Sequence, residues 1–119
     1  MTTKTRYYNS TGRDFLAKAR RYLAEDDLLQ ASEKGWGAAA QMVKCVAEAR
    51  GWSHDGHHQL WRAVNRLVEE TGDQEMRTAF GLAGTLHTNF YEGWLPAETV
   101  EDYLGQVEEL VSKLEALSS

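Results

Sequence analysis

Three histidines fall within five residues at His54, His57 and His58, and the fourth, His87, stands in the segment LHTNFYEGW. Imidazole titrates near neutrality and is a common metal ligand, and three could hold a zinc ion with one open position. The spacing argues against that use. The strong helical zinc motif sets two histidines at i and i+4 around a glutamate. Here Gly56 separates His54 from His58, and no glutamate lies among them. The expectation is a helix start capped by Ser53 or Asp55, with exposed histidines and no metal.

Two other groupings could move protons. Arg50 precedes His57 with six residues between them. An arginine and a histidine on one surface can cleave RNA, the histidine moving protons while the guanidinium stabilises the developing phosphorane. Gly51 breaks the helix between them, so the preferred reading of Arg50 is a cation near a helix C-terminus. His87 and Tyr91, at i and i+4, share a helix face beside Asn89. There His87 is a candidate proton carrier with Tyr91 as its hydrogen-bond partner, although a half-buried structural pair is the preferred reading. No serine has a nucleophile's setting, and Gly35-Trp36-Gly37 lies inside a helix rather than after a strand, so it is no phosphate loop.

The elements that must position these groups are helical. Apolar residues recur at helical spacing, convincing strand alternation is absent, and a single proline, Pro96, interrupts the chain. Residues 1–9 read as a loose arm. Ser10 or Thr11 caps a first helix carrying Phe15, Leu16, Ala19 and Leu23. Asp26 and Asp27 open a second, with Leu28, Ser32, Trp36, Ala39, Val43 and Val46 inward and Gly51 as its stop. A third helix carries Leu60, Trp61, Val64, Leu67 and Val68 and ends at Thr71-Gly72-Asp73. A fourth runs through Met76, Phe80, Ala83, Leu86 and Phe90. Pro96 opens a fifth, whose near-heptad stripe runs from Val100 to Leu117 and suits packing on the bundle or on a second subunit. The reading is an all-α antiparallel helical bundle of about five helices, with residues 10–119 as one domain. Glycine costs about 1 kcal/mol in a helix interior, so Gly35, Gly37 and Ala38–Ala40 mark a close helix contact. Trp36 is expected to fill core space beside them.

The chain has 119 residues, a net charge of −5 and one cysteine, Cys45. One thiol excludes an internal disulfide and fits a cytoplasmic setting. No leader-like apolar run opens the sequence, and no stretch approaches the ~20 residues that span a bilayer. A dedicated nucleic-acid binder usually carries a basic excess, so RNA is possible but not favoured as a partner. Arg13, Lys18, Arg20 and Arg21 make the first helix basic, while from Asn89 onward Lys113 stands alone among acids. That asymmetry is expected to mark opposite faces of the bundle.

The pattern AxxKxWGAAAQxVK (Ala31, Lys34, Trp36 to Gln41, Val43, Lys44), the segment LHxNFYE and the VEELVSKL end resemble the PaREP family, from about Asp14 to Leu114. The resemblance implies membership of the HEPN-like helical superfamily, whose bundles often form homodimers. Many of its members are RNases, often toxins paired with a nucleotidyltransferase-like protein, and others are thought to bind nucleotides. The superfamily's RNase motif is an arginine followed, after four to six residues, by a histidine. His87 occupies the comparable region, but Phe80, Gly81 and Leu82 stand where the arginine belongs and Arg77 lies ten residues back. Catalytic roles therefore do not carry over. The favoured function is a non-catalytic module binding a small ligand, such as a nucleotide, or a partner, with no cofactor. Its ligand residues are named as Trp36, Lys44, His54, Asn89 and Tyr91. The alternative is a metal-independent RNase using His87, Arg50 or His57.

Overall fold

A computed structural model describes residues 1–118. Five helices follow one another: α1 (Thr3–Ala24), α2 (Leu28–Arg50), α3 (His57–Thr71), α4 (Glu75–Glu92) and α5 (Ala97–Leu117). The second is the axis of the fold, packing against each of the other four. Its composition permits this. Ala31, Ala38, Ala39, Val43, Val46 and Ala47 are fully buried, and they point to several sides of the helix rather than to one stripe.

The glycines mark where neighbours come closest. A methyl group built on Gly35 would lie 2.5 Å from Leu104 Cδ2 of α5 and 3.2 Å from Leu86 Cδ1 of α4. One on Gly37 would meet only the Phe15 ring of α1, at 2.8 Å. On α1 itself, Gly12 faces Met42, with Ala38 O at 3.4 Å. Small residues thus let α2 serve two packing fronts at once. The apolar positions of α5, Val100, Leu104, Val107, Leu110, Val111 and Leu114, are all buried within the chain. The α5 stripe therefore packs on the bundle itself, and so do the small residues of α2.

Several helix ends follow local chemistry, and two helix starts differ from those the sequence suggests. Gly51, Gly72 and Gly93 each close a helix at φ 73°, 74° and 67°, the left-handed conformation that glycine adopts without a Cβ penalty. Asp27 caps α2 by accepting from Gln30 N. The first difference is at the N-terminus. Of residues 1–9, which read from sequence as a loose arm, Thr3 onward form the first turns of α1. Thr2, rather than Ser10 or Thr11, is the cap, its Oγ1 accepting from Thr5 N. Thr5 is buried, and the Cys45 thiol donates to its carbonyl at 3.2 Å, so tertiary contact holds what polarity alone would leave loose. The second difference is at α3. Neither Ser53 nor Asp55 caps it, for the helix starts after Gly56 at φ 110°, without a side-chain cap.

The charge asymmetry is resolved by contact. Arg13 of α1 pairs with Glu115 of α5, and Arg20 with Glu108. Each partner pair is seven residues apart along its own helix, running in opposite directions. The basic first helix and the acidic last helix face each other rather than lying on opposite sides. The Arg13 guanidinium, hydrogen-bonded to Glu115, holds that carboxyl below its usual range. No helix among the described residues is long and apolar enough to cross a membrane.

Candidate functional site: a carboxylate and two histidines around Trp36

Where α2, α4 and the start of α3 converge, five side chains meet. Glu33 and Trp36 come from one face of α2, at i and i+3. His87 and Tyr91 come from α4, and His57 is the first residue of α3. His87 Nδ1 lies 2.7 Å from Glu33 Oε1. A carboxylate can only accept, so it fixes a proton on Nδ1 and leaves Nε2 as the basic nitrogen of the neutral ring. The imidazole stacks on the Trp36 indole with centroids 5.2 Å apart. His57 meets that indole edge-on at 5.0 Å and stands 5.7 Å from His87. Tyr91 closes the group, its ring 5.5 Å from His87 and largely exposed.

Burial graduates the site from core to solvent. Phe80, fully buried, supports Trp36 at 5.5 Å. Glu33 and His87 are each about one quarter open, at 28%, and His57 is exposed. The site thus has an apolar floor, a hydrogen-bonded acid–base pair and an open aromatic rim. Trp36, half-buried and packed against the core as expected, is also this floor.

The other predicted residues lie elsewhere. Arg50 Nη1 is bound to Glu70 Oε2 at 2.5 Å and its guanidinium sits near the Trp52 ring, so the two members of the Arg50/His57 pair have separate partners. His54 bonds Glu48 Oε2 at 2.9 Å through Nε2 and meets the Tyr8 ring edge-on. That bond, with Lys4 beside it, holds the Glu48 carboxyl below its usual range. His54 therefore ties the end of α2 to α1. His58 is exposed. The three neighbouring histidines enter three different surroundings, and among the described residues no group of three possible ligands could hold a metal ion. Lys44 lies two turns along α2 from Trp36, about 12 Å by helical rise, and makes no hydrogen bond or ion pair among the described residues.

Asn89 lies beneath the surface, 1% exposed. Its Oδ1 accepts from both Trp94 N and Leu95 N at 2.8 Å, and its Nδ2 donates to Ser32 Oγ at 3.0 Å. Its hydrogen bonds go to the α4–α5 turn and to Ser32 of α2. Glu33, rather than Tyr91, is the hydrogen-bond partner of His87. The sequence carries no signal for Glu33 beyond its place one turn before Trp36.

The sequence profile of the archaeal PaREP1/PaREP8 family matches residues 8–111. A solved protein from Sulfolobus solfataricus superposes with a TM-score of 0.79 at 20% identity, covering 90% of this chain and 95% of that one. At that identity the likeness concerns the fold. No curated protein matches the chain. With the profile spanning nearly all of α1 to α5, the chain belongs to the archaeal PaREP1/PaREP8 family.

Proposed function

We propose that the protein is a non-catalytic binding module whose recognition face is Glu33, Trp36, His57, His87 and Tyr91, and that it takes the base of a nucleotide or a similar flat heteroaromatic ligand. The observation that carries this reading is the convergence of a carboxylate, two imidazoles and two aromatic rings from three helices. Such a face offers what a nucleobase requires: a carboxylate to accept from ring N–H groups, imidazole nitrogens that donate or accept, and the Tyr91 ring for stacking. The same geometry speaks against phosphodiester cleavage. Lysine and arginine commonly stabilise the charge that develops in phosphoryl transfer, whereas the groups in contact with His87 are Glu33, Trp36, His57 and Tyr91, and the nearest carboxylate would repel a phosphate.

The test is a chemical-shift titration of the full chain with nucleosides and nucleoside monophosphates. Saturable shifts at Trp36, His57 and His87, lost in a folded His87→Ala variant, are expected. No shift at millimolar ligand would defeat the reading. One observation favours a second reading, that of an RNase: a carboxylate-oriented imidazole beside a second imidazole is an acid–base arrangement. RNA cleavage that survives chelator and vanishes in His87→Ala would establish it.

The HEPN-like assignment and the homodimer belong to this proposal. With α5 and the small residues of α2 covered, the exposed apolar residues left for a two-fold interface are Met1, Tyr7, Leu29, Tyr91 and Trp94, of which Leu29 and Trp94 lie outside the recognition face.

A further inference from the structure

On the other flank of α3 lies a second polar feature. Arg66 is about 180° around the helix from His57, at 100° per residue, and Arg62 is one turn before it. Together with Trp52, Ser53 and Gln59 they line a surface pocket of about 270 Å³. No carboxylate lines this pocket. Neither Arg62 nor Arg66 makes an ion pair or a hydrogen bond among the described residues, in a chain whose net charge is −5. By contrast, Arg13, Arg20 and Arg50 are each matched to a glutamate.

The pocket is arranged for an anion. The Arg66 guanidinium lies over the Trp52 ring at 4.1 Å, which orients its plane and leaves its N–H groups unspent. Arg50, anchored to Glu70, approaches the same ring at 5.5 Å. Gln59 Oε1 accepts from Asp55 N at 2.6 Å, so the amide is turned with its NH₂ group left to donate. The Ser53 hydroxyl is a further donor without a partner among the described residues. Two guanidiniums, an amide NH₂ and a hydroxyl around one opening can all donate, and the chemistry they match is a phosphoryl group, whose anionic oxygens accept.

We propose that this pocket binds a small phosphorylated molecule, with its phosphoryl group held between Arg62 and Arg66. Size and surroundings select a small molecule over a polymer. The volume lies below the roughly 300–1,000 Å³ of pockets for drug-sized ligands. Glu69 and Glu70 follow Arg66 by one turn on the same flank, where a nucleic acid would need its next phosphates neutralised. The proposal is independent of the histidine face, which uses none of these residues.

Titration of the ¹⁵N-labelled chain with inorganic phosphate, against chloride at matched ionic strength, tests it. A saturable shift of the Trp52 indole and of Arg66 Nε with phosphate, and none with chloride, is expected. A small phosphomonoester should bind at least as well as phosphate. Charge-assisted hydrogen bonds of this kind correspond to about tenfold or more in affinity, so the Arg62→Gln/Arg66→Gln variant should bind phosphate at least about tenfold more weakly. Both side chains are exposed, so the fold should persist, as circular dichroism will verify, and the phosphate–chloride comparison needs no variant. His87→Ala should leave this binding unchanged. Equal shifts with chloride, unchanged affinity in the double variant, or preference for a single-stranded oligonucleotide over the phosphomonoester would each overturn the proposal.

Discussion

Truncating Asn89 to alanine should destabilise the protein more than most single substitutions of a polar residue. The wild-type side chain makes three hydrogen bonds in a buried setting, accepting from Trp94 N and Leu95 N and donating to Ser32 Oγ. Ser32 in turn donates to Leu28 O at 2.7 Å, so one amide joins the α4–α5 turn to the first turn of α2. Each bond contributes about 1 kcal/mol net, and a donor left buried without a partner costs about 1–3 kcal/mol. Trp94 is half open, so water can replace the partner of its N–H more readily than that of the half-buried Leu95. The sum is about 2–4 kcal/mol, against a typical total stability of about 5–15 kcal/mol. Urea unfolding followed by circular dichroism would measure this directly, and the melting temperature should fall by roughly 4 °C per kcal/mol in a domain of this size. A double-mutant cycle with Ser32→Ala isolates the link to α2, with an expected coupling of about 1 kcal/mol. An Asn89→Ala protein within about 0.5 kcal/mol of the parent would show that the turn holds without this amide, and the structural role assigned to it would fail.

Two glycine substitutions should move stability in opposite directions. Gly35→Ala drives a methyl group into Leu104 and should cost about 1–3 kcal/mol, while Gly84→Ala meets nothing within 4 Å inside α4 and should stabilise by about 0.5–1 kcal/mol. Equal urea midpoints for the two variants would contradict the packing described. The Glu115 carboxyl, lowered from its ordinary 4.5 by the Arg13 hydrogen bond, stabilises the fold above that value and loses this contribution as pH falls through its folded pKa. The stability gap between the parent and Glu115→Gln should therefore be wider at pH 7 than at pH 3, and a gap independent of pH would refute the pairing. For assembly, light scattering at micromolar concentration should give about twice the 13.4 kDa chain mass if the homodimer forms through Leu29 and Trp94, and Trp94→Ser should return it to one chain mass. A dimer indifferent to that substitution would place the interface elsewhere.

The parts of the fold legible in the sequence are those decided locally. Gly51, Gly72 and Gly93 stop their helices because each stop demands a left-handed residue, and a sequence displays that demand at a single position. Asp27 is visible as a cap for the same reason. The start of α1 was not legible. The run MTTKTRYYNST has little apolar content, and what orders it is Thr5 buried under the end of α2 beside Cys45, a contact forty residues away. The proton-bearing site divides the same way. The i, i+4 relation of His87 and Tyr91 is a property of one helix, but the bond from His87 to Glu33 spans 54 residues and exists only once α2 and α4 pack. Spacing also suggested Arg50 with His57, yet the loop after Gly51 sends them to different neighbours. Charge reading found the basic and acidic ends of the chain but not that they are partners, since register between α1 and α5 is set by packing.

That register bears on how the molecule assembles in time. The α1–α5 clasps join positions 102 and 88 residues apart, while α1 and α2 meet across a short turn. Long loops close late because chain entropy is lost before the contact forms. During synthesis from the N-terminus, the α1–α2 hairpin can form early, with the groove at Gly35 still open to water. Leu104 enters that groove, and Glu108 and Glu115 engage Arg20 and Arg13, only when the final helix emerges. Helix α5 therefore acts as a closing strap, and a nascent or truncated chain lacking it presents the apolar flanks of α2 and α4 to whatever binds exposed hydrophobic surface.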